Sequence, residues 1–277
     1  MSRSRIGIVL MAAVAAVVLT GGSATAAPTP EVYVALGDSF AAGSGIAPQT
    51  PSGICGRSGV NYPSLLARDL QIPVVRDVTC GSAESANLAG PQRGPGGIAE
   101  PQYDALSADT TLVTVGIGGN DIQLVQLAAR CIALPLSAPC ATLADDTYPS
   151  RIDAFAATYD TVLDEVARRA PAARVLMVGY PTGIRPGGCP DRQPVRPTDA
   201  TYLQARIDQL NDVMEAAADR HGATYVDLAE SSRDHDVCAE DSWMVGIVPT
   251  SLDAFVPLHP TAAGHANAAR QIEAVLR

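Results

Sequence analysis

Five short apolar runs set the terms on which this chain can fold: Val32–Leu36, Val74–Thr79, Thr111–Ile117, Arg174–Val178 and Thr224–Leu228. They are rich in Val, Ile and Leu and lack the strict polar alternation of a strand with one wet face, so each reads as a strand covered on both sides. Stretches of helical spacing lie between and after them: Asn61–Leu70, Asp121–Ala129, Pro149–Ala170, Asp199–His221 and Thr261–Leu276, the last behind a Thr cap. Parallel strands need long crossovers, and helices supply both the crossover and the cover. The expectation is a single α/β domain of three layers, α/β/α, around a five-stranded parallel sheet.

Ligands of open sheets bind outside the carboxyl ends of the strands. Three of those ends carry unusual chemistry here: Gly-Asp-Ser at Gly37–Ser39 after the first run, Cys-Gly-Ser at Cys80–Ser82 after the second, and Gly-Gly-Asn-Asp at Gly118–Asp121 after the third. The irregular stretches 89–102, 131–147 and 181–197, rich in Pro, Gly or Ala, are long enough to shape the mouth of a pocket.

The N-terminus carries Arg3 and Arg5, then the uncharged apolar stretch Ile6–Leu19, then the small residues Ala24 and Ala26. That order marks a secretory signal peptide over 1–26, and the apolar stretch is too short for a membrane span, which takes roughly 18 residues or more. The six cysteines, Cys55, Cys80, Cys131, Cys140, Cys189 and Cys238, suit an exported chain with disulfides, although the residues alone do not choose among the pairings. None stands in a C-x-x-C pair, so zinc is not indicated. A net charge of −10 without a single Lys argues against nucleic acid or an anionic membrane as partner.

Ser39 is the first candidate for chemistry, and a serine hydroxyl is a poor nucleophile until a base takes its proton. Of the four histidines, His221 ends a helix before Gly222, His235 lies in a polar loop and His265 falls inside the last helix. His259 stands between an apolar loop and the start of that helix, with its ring free to face the sheet edge, and is the candidate base. Acyl transfer also needs donors where negative charge develops on the carbonyl oxygen. The backbone N–H groups of Ser39 and Gly81 and the side-chain amide of Asn120 are the candidates, glycine because it permits close backbone approach.

Together these blocks, "GDSF" at Gly37–Phe40, "TCGSAES" at Thr79–Ser85, "GGND" at Gly118–Asp121 and "LHPTAAGH" at Leu258–His265, resemble the four blocks of the SGNH, or GDSL, hydrolases, in the family's order. The resemblance is strongest to the secreted actinobacterial lipases and esterases. It implies a flavodoxin-like fold over 27–277, Ser39 as nucleophile, His259 as general base and acid, and the Ser39, Gly81 and Asn120 donors as an oxyanion hole. It further implies Asp38 as a supporting residue, no cofactor and no metal, and disulfides in chain order: Cys55 to Cys80, Cys131 to Cys140, Cys189 to Cys238. Many members carry Asp three residues before the histidine, where this chain has Val256. The expectation is therefore a Ser–His dyad with the Val256 carbonyl accepting the Nδ1 proton, and Asp253 as the rival orienter.

The resulting expectation is a secreted, monomeric serine esterase or lipase acting on small-molecule or lipid esters without stable membrane insertion. Ile122, Leu124, Val125 and Leu127, with Trp243, Met244, Val245 and Ile247, are candidates for apolar pocket walls or for core. A carbohydrate acetylesterase, an acyltransferase and a non-catalytic binding module are the alternatives on such a fold. A dinucleotide site is disfavoured, since Asp121 stands where the third glycine of a G-x-G-x-x-G fingerprint belongs.

Overall fold

All five runs form strands, and in the computed structural model, which describes residues 30–133, 137–142, 147–247, 249, 252 and 254–277, they pair in parallel. In chain order the strands are β1 (Val32–Gly37), β2 (Val74–Asp77), β3 (Gln92–Gly94), β4 (Gly97–Ala99), β5 (Leu112–Gly116), β6 (Arg174–Val178) and β7 (Thr224–Val226). The main sheet runs β2-β1-β5-β6-β7. Counting only its own strands, this is the 2-1-3-4-5 order of flavodoxin-like sheets, with its topological switch point between β1 and β5. β3 and β4 form a separate antiparallel hairpin inside the stretch expected to be irregular.

The helices are α1 (Ser39–Ala42), α2 (Tyr62–Asp69), α3 (Ala86–Ala89), α4 (Leu124–Arg130), α5 (Tyr148–Ala154), α6 (Ala156–Arg169), α7 (Pro197–His221), α8 (Ala229–Ser232) and α9 (Ala262–Leu276). Successive strand residues point to opposite faces. Tyr33 and Ala35 of β1 accordingly pack with Leu66 of α2 and Ile272 of α9, while Val34 and Leu36 pack with Val166 of α6 and Met214 of α7. That is the three-layer arrangement expected.

Local chemistry explains where elements depart from the sequence reading. β2 stops at Asp77 because Thr79 turns back on it, its N–H and hydroxyl donating to Asp77 Oδ1 at 3.1 and 2.6 Å. α4 begins only at Leu124 because Gln123, at φ 60°, is left-handed. The long helix expected over 149–170 breaks at Phe155 into α5 and α6.

The disulfides are Cys55–Cys80, Cys131–Cys140 and Cys189–Cys238. The first fastens the turn Gly53–Cys55 to the segment after β2, and closing a loop of that length contributes roughly 3 kcal/mol in the chain-entropy model. Among the described residues no helix is long and apolar enough to cross a membrane.

Candidate active site

β1 is buried along its whole length, and its last residue leaves no room for a side chain: a Cβ on Gly37 would stand 2.6 Å from both the Ala41 Cβ and the Gly116 carbonyl oxygen. The chain turns there directly into α1. Asp38 is the N-cap, its Oδ1 accepting the Phe40 N–H at 2.8 Å, so Ser39 is the first residue of the helix. A first-turn N–H has no acceptor within its own helix, which leaves the Ser39 N–H facing outward as a donor.

The histidine arrives from the other end of the chain. Thr261 caps α9, and the preceding residues Val256–His259 close a turn in which the His259 N–H donates to the Val256 carbonyl at 3.3 Å. Pro at the second position and a positive φ at the third, 59° at Leu258, match a type II turn. The turn delivers His259 Nε2 to 2.7 Å from Ser39 Oγ, 220 residues apart in sequence. Both side chains are nearly buried, His259 at 4% exposure and Ser39 at 9%.

Val256 is not the orienting group expected. Its carbonyl is occupied in closing the turn, and it is the Pro257 carbonyl that lies 2.9 Å from His259 Nδ1. A carbonyl oxygen only accepts, so Nδ1 carries the proton and the Nε2 lone pair faces the serine hydroxyl. Burial lowers the His259 pKa below its ordinary 6.5, with the Pro257 bond pulling the other way. Asp253, the rival orienter, lies outside the described residues. Phe40 packs its ring against the imidazole with centroids 4.5 Å apart.

Asn120 lies beside Ser39 on the wall of the same cavity, and its Nδ2 donates to the Ala83 carbonyl at 2.9 Å. An amide nitrogen carries two protons, so one bond orients the group and the other stays available. Asp121 fixes the neighbouring turn by accepting the Ser85 N–H at 3.0 Å. Gly81 departs from expectation: its N–H donates to the Cys55 carbonyl at 2.9 Å, beside the Cys55–Cys80 disulfide. It is not available as an oxyanion donor in this arrangement.

A cavity of about 210 Å³ opens beside Ser39. Leu124, Val125, Ile184, Leu203, Ile207 and Met244 contribute to its apolar walls, and its titratable lining residues, Asp38, Tyr180 and His259, belong to the Ser39 end. Of the apolar residues singled out in the sequence, Leu124, Val125, Met244 and Ile247 line this space, whereas Ile122 and Leu127 are wholly buried in the core. Leu203 and Ile207 escaped notice because one face of a long amphipathic helix reads as core whether it meets a sheet or a cavity. The other histidines stand apart from the site: His221 pairs with Asp160, His235 stacks on Trp243, and His265 accepts the Tyr62 N–H at 3.1 Å. Among the described residues no group of three or more His, Cys, Asp or Glu is placed to hold a metal ion.

The GDSL-like Lipase/Acylhydrolase family model matches residues 35–266. Lipase 2 of Streptomyces coelicolor is 37% identical over 277 residues, covering 93% of this chain and 91% of its own. An esterase of Streptomyces scabiei is 29% identical over 91% of this chain and 87% of its own. Two solved structures superpose with a TM-score of 0.70: phospholipase A1 from Streptomyces albidoflavus, 28% identical over 88% of this chain and 99% of its own, and the extracellular lipase from Streptomyces rimosus, 26% identical over 87% and 98%.

Proposed function

The chain belongs to the GDSL-like lipase/acylhydrolase family and is a carboxylic ester hydrolase, and from that premise we propose that it works through a Ser39–His259 dyad on esters of medium-length acyl chains. The 2.7 Å contact between His259 Nε2 and Ser39 Oγ carries the reading. Ser39 Oγ attacks the ester carbonyl carbon while its proton passes to Nε2, and the carbonyl oxygen takes the negative charge. The Ser39 N–H and the free Asn120 Nδ2 hydrogen stabilise that charge. Collapse of the intermediate breaks the bond to the alcohol, which leaves with the proton held on Nε2. Water then repeats the sequence on the acyl-serine, releasing the acid and restoring both side chains.

The apolar lining favours an acyl chain over a glycan. A cavity of about 150 Å³ takes a ring of six carbons, so about 210 Å³ corresponds to roughly eight. An acetyl group would leave most of that space unfilled, which sets this reading above a carbohydrate acetylesterase. The residues 1–26 serve as the export signal and 27–277 as the secreted, disulfide-bonded domain, a reading supported by the N-terminal pattern and by the three disulfides.

Nitrophenyl esters of two to sixteen carbons, assayed with the oxidised protein and with Ser39→Ala, test this. The expected result is turnover that peaks near eight carbons, survives EDTA and is lost in the variant. Inactivity on every ester, or equal activity in the variant, would overturn it.

A further inference from the structure

We propose that Tyr180 is a positioning residue for this reaction: its buried hydroxyl bridges the turn that carries Ser39 and the turn that carries Asn120, and so fixes the nucleophile relative to the oxyanion donor. The inference rests on the roles assigned above to those two residues. The ladder between β1 and β5 ends with the Asp38 N–H on the Gly116 carbonyl at 3.0 Å. Beyond that rung the two segments part, one into α1 and the other through Gly118 and Gly119 to Asn120. Tyr180 stands just past the end of β6, 3% exposed. Its hydroxyl donates to Asp38 Oδ2 at 2.7 Å and accepts the Gly119 N–H at 2.8 Å. Asp38 Oδ1 meanwhile holds the Phe40 N–H, so a chain of three hydrogen bonds runs from the residue after Ser39 to the residue before Asn120.

The bridge is itself anchored. Asn211 of α7 accepts the Tyr180 N–H through Oδ1 and donates from Nδ2 to the Tyr180 carbonyl, both at 2.8 Å. The Phe40 ring, which touches His259, also meets the Tyr180 ring edge-on with centroids 4.9 Å apart.

This arrangement also accounts for the paired glycines of the third block. A Cβ on Gly118 would stand 2.2 Å from the Tyr159 hydroxyl, which donates to the Ile117 carbonyl, and a Cβ on Gly119 would stand 3.1 Å from the Tyr180 hydroxyl. Two phenols occupy the space that two side chains would need, and the second of them continues to the Ser39 turn. Helix capping alone would not call for such a group. Burial pushes the Asp38 carboxyl up to about 7 despite its bonds to Tyr180 and Phe40, a desolvation that an exposed cap would avoid.

Tyr180→Phe removes one oxygen and keeps the ring. With rates expressed per folded molecule from a thermal unfolding control, kcat is expected to fall roughly ten- to hundredfold, the scale of a small misplacement at a reacting centre, while KM stays within about threefold. Because Tyr180 acts through the Asn120 turn, the double variant Tyr180→Phe/Asn120→Ala is expected to lose little more than Asn120→Ala alone. Gly119→Ala, which presses on the same hydroxyl from the other side, should also lower kcat rather than raise KM. An unchanged kcat in Tyr180→Phe, an effect on KM alone, or losses that multiply in the double variant would overturn the proposal. An inactive parent would overturn the esterase reading and this inference with it, whereas an active parent with an unaffected Tyr180→Phe overturns this inference alone.

Discussion

The Ser39 turn is tied down by side-chain hydrogen bonds in addition to its backbone ones, whereas the hydrogen bonds that hold the His259 loop to residues 243–245 run through the main chain. The serine's turn hangs from a buried strand, is capped by Asp38, and is tied through Tyr180 and Asn211 to α7. The histidine's loop is stitched to residues 243–245 by backbone bonds: Val245 N–H to the His259 carbonyl at 2.8 Å, Leu258 N–H to the Val245 carbonyl at 2.9 Å, and Thr261 N–H to the Trp243 carbonyl at 2.7 Å. Its orienting acceptor is again a carbonyl, that of Pro257. Four residues before His259, Phe255 is 54% exposed, whereas Tyr180 and Asp38 behind the serine are almost wholly buried. A nucleophile fixed by side-chain hydrogen bonds can be dislodged by single substitutions around it. A base fixed by carbonyls keeps its tautomer when neighbouring side chains change.

The largest effects should come from the two proposed reacting groups. Ser39→Ala and His259→Ala are each expected to lower kcat by a factor of about 10⁴ or more, with the double variant no worse than either, because the pair acts as a unit. Losses that multiply would mean that serine and histidine work independently, and steady-state kinetics on one soluble ester decides. On the serine's side of the comparison, Asn120→Ala should cost about 10² to 10³ in kcat, the usual effect of losing one oxyanion donor. On the histidine's side the effect should be smallest. Asp253→Ala is expected to change kcat by less than about twofold, against the roughly 10⁴ lost when a triad carboxylate is neutralised. A loss of that larger size would place the base, too, under side-chain control.

Most of the frame was legible in the sequence because it depends on residue type and spacing. Apolar runs separated by helical stretches suffice for a parallel sheet, although the edge strand β2, expected to be covered on both sides, leaves Val74 and Val75 exposed because it has a neighbouring strand on one side only; the serine, histidine and asparagine stand at strand ends and a helix start where a ligand can reach them. What escaped depends on directions that no residue name announces. The role of the Pro257 carbonyl follows from a positive φ at Leu258, a residue that gives no turn signal. The loss of the Gly81 donor follows from the placement of the Cys55 carbonyl, which accepts its N–H. Tyr180 at the end of an apolar strand reads as core until its hydroxyl is seen between Asp38 and Gly119.

A base held without a carboxylate shows itself in the pH dependence of kcat/KM, because that ratio reports the ionisation of the free enzyme. Both the parent and Asp38→Asn should be measured, since the Asp38 carboxyl, raised to about 7 by burial, titrates nearby. Burial holds His259 below its ordinary 6.5 and the base must be neutral to act, so activity is lost as pH falls through that lowered value. The expected result in Asp38→Asn is one ascending limb with its midpoint below about 6.5. A midpoint at or above about 7 would mean that a carboxylate stabilises the imidazolium, and would contradict the carbonyl-held dyad.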